Sequence, residues 1–114
     1  MRIGSVFHIA TSGLRAAARR LQVSAGNVAN MNTDGYKASR TIDTATPDGG
    51  VETRVERVQD AGPAILRDGQ LVEGSNTDMV LETVNQIQAL QAYRANMSVA
   101  KTAAELLEEA TRDS

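Results

Sequence analysis

The sequence predicts a mostly α fold with a small β insert (α+β). Long N- and C-terminal helices form an antiparallel helical hairpin or coiled coil, and a short β-hairpin lobe lies between them. Three observations predict it. Apolar residues recur at heptad spacing near the N-terminus. They recur three or four apart near the C-terminus. Between these stretches, turn residues punctuate short β-like runs. The boundaries fall at 1–33 for the first helix, 34–74 for the turn and β lobe, and 75–114 for the second helix, all in one structural domain.

The first helix is predicted over about residues 5–30. Phe7, Leu14, Leu21 and Val28 recur every seven residues, and Ile3, Ala10 and Ala17 stand four residues before the first three. That is the a/d spacing of a coiled-coil seam. Ala10, Ala16, Ala17, Ala18 and Ala25 let another helix approach closely. Gly13 sits mid-helix at a cost of about 1 kcal/mol relative to alanine. The helix is roughly 39 Å long, more than a compact globule of this size needs.

The second helix is predicted over about residues 77–111, where Val80, Val84, Ile87, Leu90, Met97, Ala100, Ala104 and Leu107 recur three or four apart, with one seven-residue step from Leu90 to Met97. Ser75 and Asp78 have the spacing of a capping box, with Asn76 and Thr77 as other candidate caps. Asp78 and Glu82 suit the positive end of the helix dipole. The closing "TRDS" is expected to fray.

The middle carries turn chemistry at "TPDGG", residues 46–50. "VETRVERV", residues 51–58, puts Val51, Thr53 and Val55 on one face of a strand. Gly62-Pro63 breaks the chain, and "AILRDGQLV", residues 64–72, is a hairpin with Asp-Gly at its turn. At most three short strands are expected.

Hydrophobic residues make up 41% of the chain but aromatics only 3%, namely Phe7, Tyr36 and Tyr93, and alanine supplies much of the rest. Such a core gains little per residue, so a slim helical arrangement completed by partners is expected. Without cysteine there is no disulfide framework, thiolate metal site or cysteine nucleophile. No apolar run is long enough for a direct membrane span, and the N-terminal stretch lacks the pattern of a cleaved signal peptide. Residues 1–33 carry Arg2, Arg15, Arg19 and Arg20 with no acid, while residues 73–114 carry seven acids against three bases. Opposite signs suit two terminal segments that lie against each other.

Chemistry is poorly supported. His8 is the single histidine, without a second imidazole or cysteine for a metal and as the one possible base of a Ser–His–Asp triad. Residues 30–35, "NMNTDG", follow the first half of a calcium loop, but asparagine opens it and Thr41 stands where the closing glutamate belongs. A sequence pI of about 5.3 is the wrong footprint for nucleic acid. No enzyme activity, cofactor, metal or nucleic acid is expected. "NVANMNTDGYK", residues 27–37, reads as a stretch that stops a helix and turns the chain, its amides bonding nearby backbone. Two long helices and a small lobe have the build of an assembly subunit; a self-contained helical hairpin fits the same pattern.

"SGLRAAARRLQVSAGNVANMNTDGYKASR", residues 12–40, resembles the N-terminal motif of the bacterial flagellar rod and hook proteins. "SNTDMVLETVNQIQALQAYRANMSVAKTAAELLEEA", residues 75–110, resembles the C-terminal motif of the same family. Met31, Asp34, Thr77 and Leu90-Gln91 depart from it. The short middle resembles the proximal-rod type, whereas "NTDGYKASR" is closer to hook and distal-rod versions. The resemblance implies a structural subunit of the basal-body rod, polymerising through its terminal helices into a tubular, torque-transmitting axial structure. It implies self-association, other rod and basal-body proteins as partners, and passage through the flagellar export apparatus to a periplasm-spanning rod. The alternative is a non-polymerising soluble helical-hairpin paralogue that binds rod or export components. By the resemblance, Asn27, Asn30, Asn32, Thr33, Gly35 and Tyr36 form the junction of coiled coil and outer lobe, and Asn76, Asp78, Val84, Asn85, Ala92, Tyr93 and Asn96 carry the C-terminal motif. Phe7, Leu14, Leu21, Val28, Val84, Ile87, Leu90, Met97 and Leu107 are the expected helix-packing and assembly residues.

Overall fold

Two helices set the long dimension of the molecule. In the computed structural model, which describes residues 2–112, α1 spans Ile3–Ala29 and α2 spans Met79–Arg112. Their 27 and 34 residues correspond to about 40 and 51 Å of helix. They run antiparallel within a body of 76 × 23 × 15 Å. Asp78 caps α2, its Oδ1 accepting the Val80 and Leu81 N–H groups at 3.0 and 3.3 Å. Ser75 turns instead onto Thr77, accepting its N–H at 3.1 Å. Thr111 and Arg112 remain helical; the rest of the stretch expected to fray, residues 113 and 114, lies outside the described residues.

The seam between the helices is small and partly polar. On α1 the buried residues are Ala10, Ala16, Ala17, Ser24 and Asn27; on α2 they are Glu82, Ala89, Ala100 and Ala103. Ala10, Ala17 and Ser24 repeat at seven, as do Glu82, Ala89, Asn96 and Ala103. This corrects the expected packing set. Leu21, Val84, Ile87, Leu90, Met97 and Leu107 are exposed, and Phe7, Leu14 and Val28 are only half-buried. The reason is distance. Small side chains bring the two backbones together, and the large ones are displaced to the flanks of the seam. At Gly13 the approach is close: a Cβ there would lie 2.6 Å from the Asn96 amide.

The opposite charges of the terminal segments do not meet in the seam. Among the described residues no ion pair joins α1 to α2. Arg20 reaches only a neutral group across the seam, Nη1 donating to Gln88 Oε1 at 3.5 Å.

Four strands, one more than expected, form two separate antiparallel hairpins. β1 (Ser39–Ala45) pairs with β2 (Val51–Arg57), from Ser39↔Arg57 to Ala45↔Val51, around the turn at 46–50. β3 (Ala64–Arg67) pairs with β4 (Gln70–Glu73). Asp68 and Gly69 close the second hairpin with φ of 50° and 81°, the double positive φ of a type I′ turn. The β1–β2 hairpin folds back along α1, where Val51 N–H donates to Ser12 Oγ at 3.1 Å. Val51 and Thr53 are half-buried on this side, but Val55 is exposed. The β3–β4 hairpin packs on none of the other elements.

Candidate functional site

Where α1 ends, the chain turns, and α2 begins, three of the motif asparagines converge: Asn27, Asn30 and Asn76. Asn27 is 1% exposed and satisfies its whole side chain. Its Nδ2 donates to the Ser39 carbonyl at 2.7 Å and to Glu82 Oε2 at 3.0 Å. Its Oδ1 accepts the Ser39 N–H at 2.9 Å and the Tyr36 hydroxyl at 3.1 Å. The Asn27 carbonyl accepts the Thr77 hydroxyl at 3.1 Å. One side chain therefore joins α1, the turn, β1 and α2. Below it, Ser24 Oγ donates to the Glu82 carbonyl at 3.3 Å and accepts Gln86 Nε2 at 3.2 Å.

The other motif residues divide clearly. Asn30 turns the chain: its Nδ2 donates to the Gly26 carbonyl at 3.0 Å and its Oδ1 accepts the Thr33 hydroxyl at 3.1 Å. The Gly35 N–H donates to the Glu73 carbonyl at 2.8 Å, tying the turn to β4. Asn76 fastens the lobe, accepting the Ala38 N–H at 2.6 Å and donating to the Val58 and Asp60 carbonyls at 2.9 and 2.8 Å. Asn32 is exposed and takes no part in the network. Asn85 is half-buried in the wall of a cleft described below. Tyr93 and Asn96 lie away from the junction, about four to five turns into α2, with Asn96 facing Gly13.

Ion pairs brace the lobe. Lys37 Nζ pairs with Glu73 and also donates to the Asp60 carbonyl at 3.1 Å. The Lys37 hydrogen bond, with help from the Gly62 N–H, holds the Glu73 carboxyl below its usual range. Arg67 grips Asp34 through Nε and Nη2 at 3.2–3.3 Å, a geometry lysine cannot reproduce.

Several grooves and a cleft flank this framework. One groove, about 470 Å³, brings His8 near Ser12 and Asp48. No triad results. Ser12 Oγ donates to the Ile9 carbonyl at 2.7 Å and accepts from Val51, while Asp48 accepts from Thr46 and Gly50. An apolar groove of about 450 Å³ lies on the outer side of the helical hairpin, walled by Ala17, Leu21, Ala25, Ala89, Leu90 and Tyr93. The cleft, about 360 Å³, lies between the lobe and the start of α2 and holds Asp60, Asp78, Glu82, Asn85 and Arg40.

Sequence reasoning missed Ser24, Ser39 and the burial of Glu82. A signal for two of them existed: Ser24 completes the row of Ala10 and Ala17, and Glu82 begins the row of Ala89 and Ala103.

Comparison with known proteins covers most of the chain. Residues 7–37 match the family described as "Flagella basal body rod protein". Residues 69–113 match "Flagellar basal body rod FlgEFG protein C-terminal". The "Flagellar basal-body rod protein FlgC" of Yersinia enterocolitica is 32% identical over 94% of both chains. That of Buchnera aphidicola is 28% identical over 94% of both, and that of Salmonella typhimurium is 31% identical over 90% of both.

Proposed function

The chain belongs to the flagellar basal-body rod protein family, and from that premise we propose that it is a structural subunit that polymerises through its terminal helices into the tubular rod. One observation carries this reading. The helical hairpin buries alanines in its own seam and leaves Leu21, Leu90 and Tyr93 exposed around an apolar groove. Val80, Val84, Ile87 and Met97 add further exposed apolar surface on α2. Contiguous apolar surface on a slim body marks a contact site for other chains.

In this reading the helices pack against neighbouring subunits, and the junction fixes the angle between helices and lobe. Torque passes through a body braced by Asn27 and Asn76. The chain reaches the basal body by the flagellar export apparatus, and other rod proteins are its partners. No reaction is assigned to it.

Deletion and complementation test the reading. The parent chain is expected to restore swimming and complete basal bodies, and Leu21→Asp is expected to restore neither. Swimming restored by both would refute it. A chain that stays monomeric when concentrated yet binds rod or export components would favour the non-polymerising paralogue.

A further inference from the structure

Among the described residues the arginines of the N-terminal segment have no carboxylate partner in their own chain. Among the described residues the ion pairs involve Lys37, Arg40, Arg54, Arg67 and Arg112, none of them in α1. Arg19 and Arg20 reach only the neutral side chains of Gln22 and Gln88. Arg15 and Arg19 are exposed and four residues apart, and both line the groove between α1 and β2. They form a two-pronged basic site on one side of the helix.

The cleft beside the junction has the complementary lack. Glu82 is 3% exposed, and its Oε1 has no hydrogen-bond partner. A buried acceptor left in that condition is destabilising until a donor reaches it. Nearer the mouth, Asp78 uses Oδ1 for the cap of α2. The Asp60 side chain makes no hydrogen bond, and the cleft's own cation, Arg40, is held by Glu56 at 3.1 Å. These acids are not gathered closely enough to hold a metal ion among the described residues, so a donor on a long organic side chain fits better.

We propose that this cleft receives a guanidinium from Arg15 or Arg19 of a second copy of the chain. The inference rests on the rod-subunit reading and names one contact of the assembly. The basic face and the acidic cleft are different surfaces, so the contact is heterologous and leaves each joined pair with one free site of each kind. Guanidinium suits the role because it stays charged and offers donors in a planar fork.

Charge reversal tests it. Sedimentation of the purified full chain reads self-association of the parent, of Arg15→Glu with Arg19→Glu, of Asp60→Lys, and of all three changes together. Each reversal is expected to weaken association about tenfold or more, and the combination to regain most of the loss. Raising the salt should weaken the parent but not abolish its fold. Three results would overturn the proposal: reversals that associate like the parent, a combination that regains nothing while its circular dichroism matches the parent, or a parent that stays monomeric. Complementation by the parent separates the two levels. A parent that restores swimming while the reversals associate normally sinks this contact alone; a parent that restores nothing sinks the rod reading beneath it.

Discussion

Asn27 holds Ser39 from both sides, accepting its N–H at 2.9 Å and donating to its carbonyl at 2.7 Å. The amide acts as one rung of a strand ladder, supplied by the last turns of a helix. It starts β1 against α1 and, through Glu82 Oε2, fixes both to α2. Replacing Asn27 by alanine leaves several buried groups without partners and should cost about 2–4 kcal/mol. Asn27→Asp keeps the shape but loses both donated bonds and sets a second acid beside Glu82, so it should be at least as damaging. Urea unfolding followed by circular dichroism checks both, and an unchanged midpoint would show that the junction does not hold the lobe.

Gly13 faces Asn96 with no room for a Cβ that leaves the amide in place. In an open helix, Gly13→Ala should stabilise by about 1 kcal/mol. Here the new methyl group must displace the Asn96 amide and its bond to the Ala92 carbonyl at 2.9 Å. The gain should therefore be absent in the parent and present in an Asn96→Ala background. A double-mutant cycle measures this coupling; additive effects would contradict the close approach.

Leu21 is 46% exposed at the apolar groove. Leu21→Asp should leave the unfolding midpoint of the isolated chain within about 0.5 kcal/mol of the parent, as surface changes do. The same change should abolish assembly. Paired unfolding and sedimentation measurements check it, and a large loss of stability would mean that Leu21 packs within its own chain.

Glu73 gives a pH signature. Its carboxyl is held below the ordinary value of 4.5 by Lys37 first and then by the Gly62 N–H. A carboxyl whose folded value is depressed contributes stability that is present above 4.5 and is lost as the pH falls through the folded value. The carboxyl-carbon NMR titration of Glu73 should have its midpoint below 4.5, and Lys37→Ala should move it upward. A midpoint unmoved by that change would remove Lys37 as the cause.

The helical hairpin was legible because its apolar residues keep helical spacing, and the second β hairpin because Asp68-Gly69 has only one good use between two short apolar runs. The helix phase was not. Hydrophobic strength points to Phe7, Leu14, Leu21 and Val28, yet the intramolecular seam uses Ala10, Ala17 and Ser24. A helix with two contact faces offers two heptad rows, and hydrophobicity alone does not say which row meets its own chain. β1 was missed because "SRTIDTA" lacks apolar alternation; Asn27 and the β2 ladder hold it instead. Glu82 reads as a dipole partner because a glutamate, even one at the head of the Ala89 and Ala103 row, is ordinarily solvated.

Quantitative mass spectrometry of purified basal bodies decides whether the chain is a rod subunit. A rod subunit should be present in several copies per basal body, resist the washes that remove loosely bound protein, and be lost when Leu21 is changed to aspartate. Basal bodies complete and functional without the chain, with the protein recovered only as a soluble monomer, would contradict it.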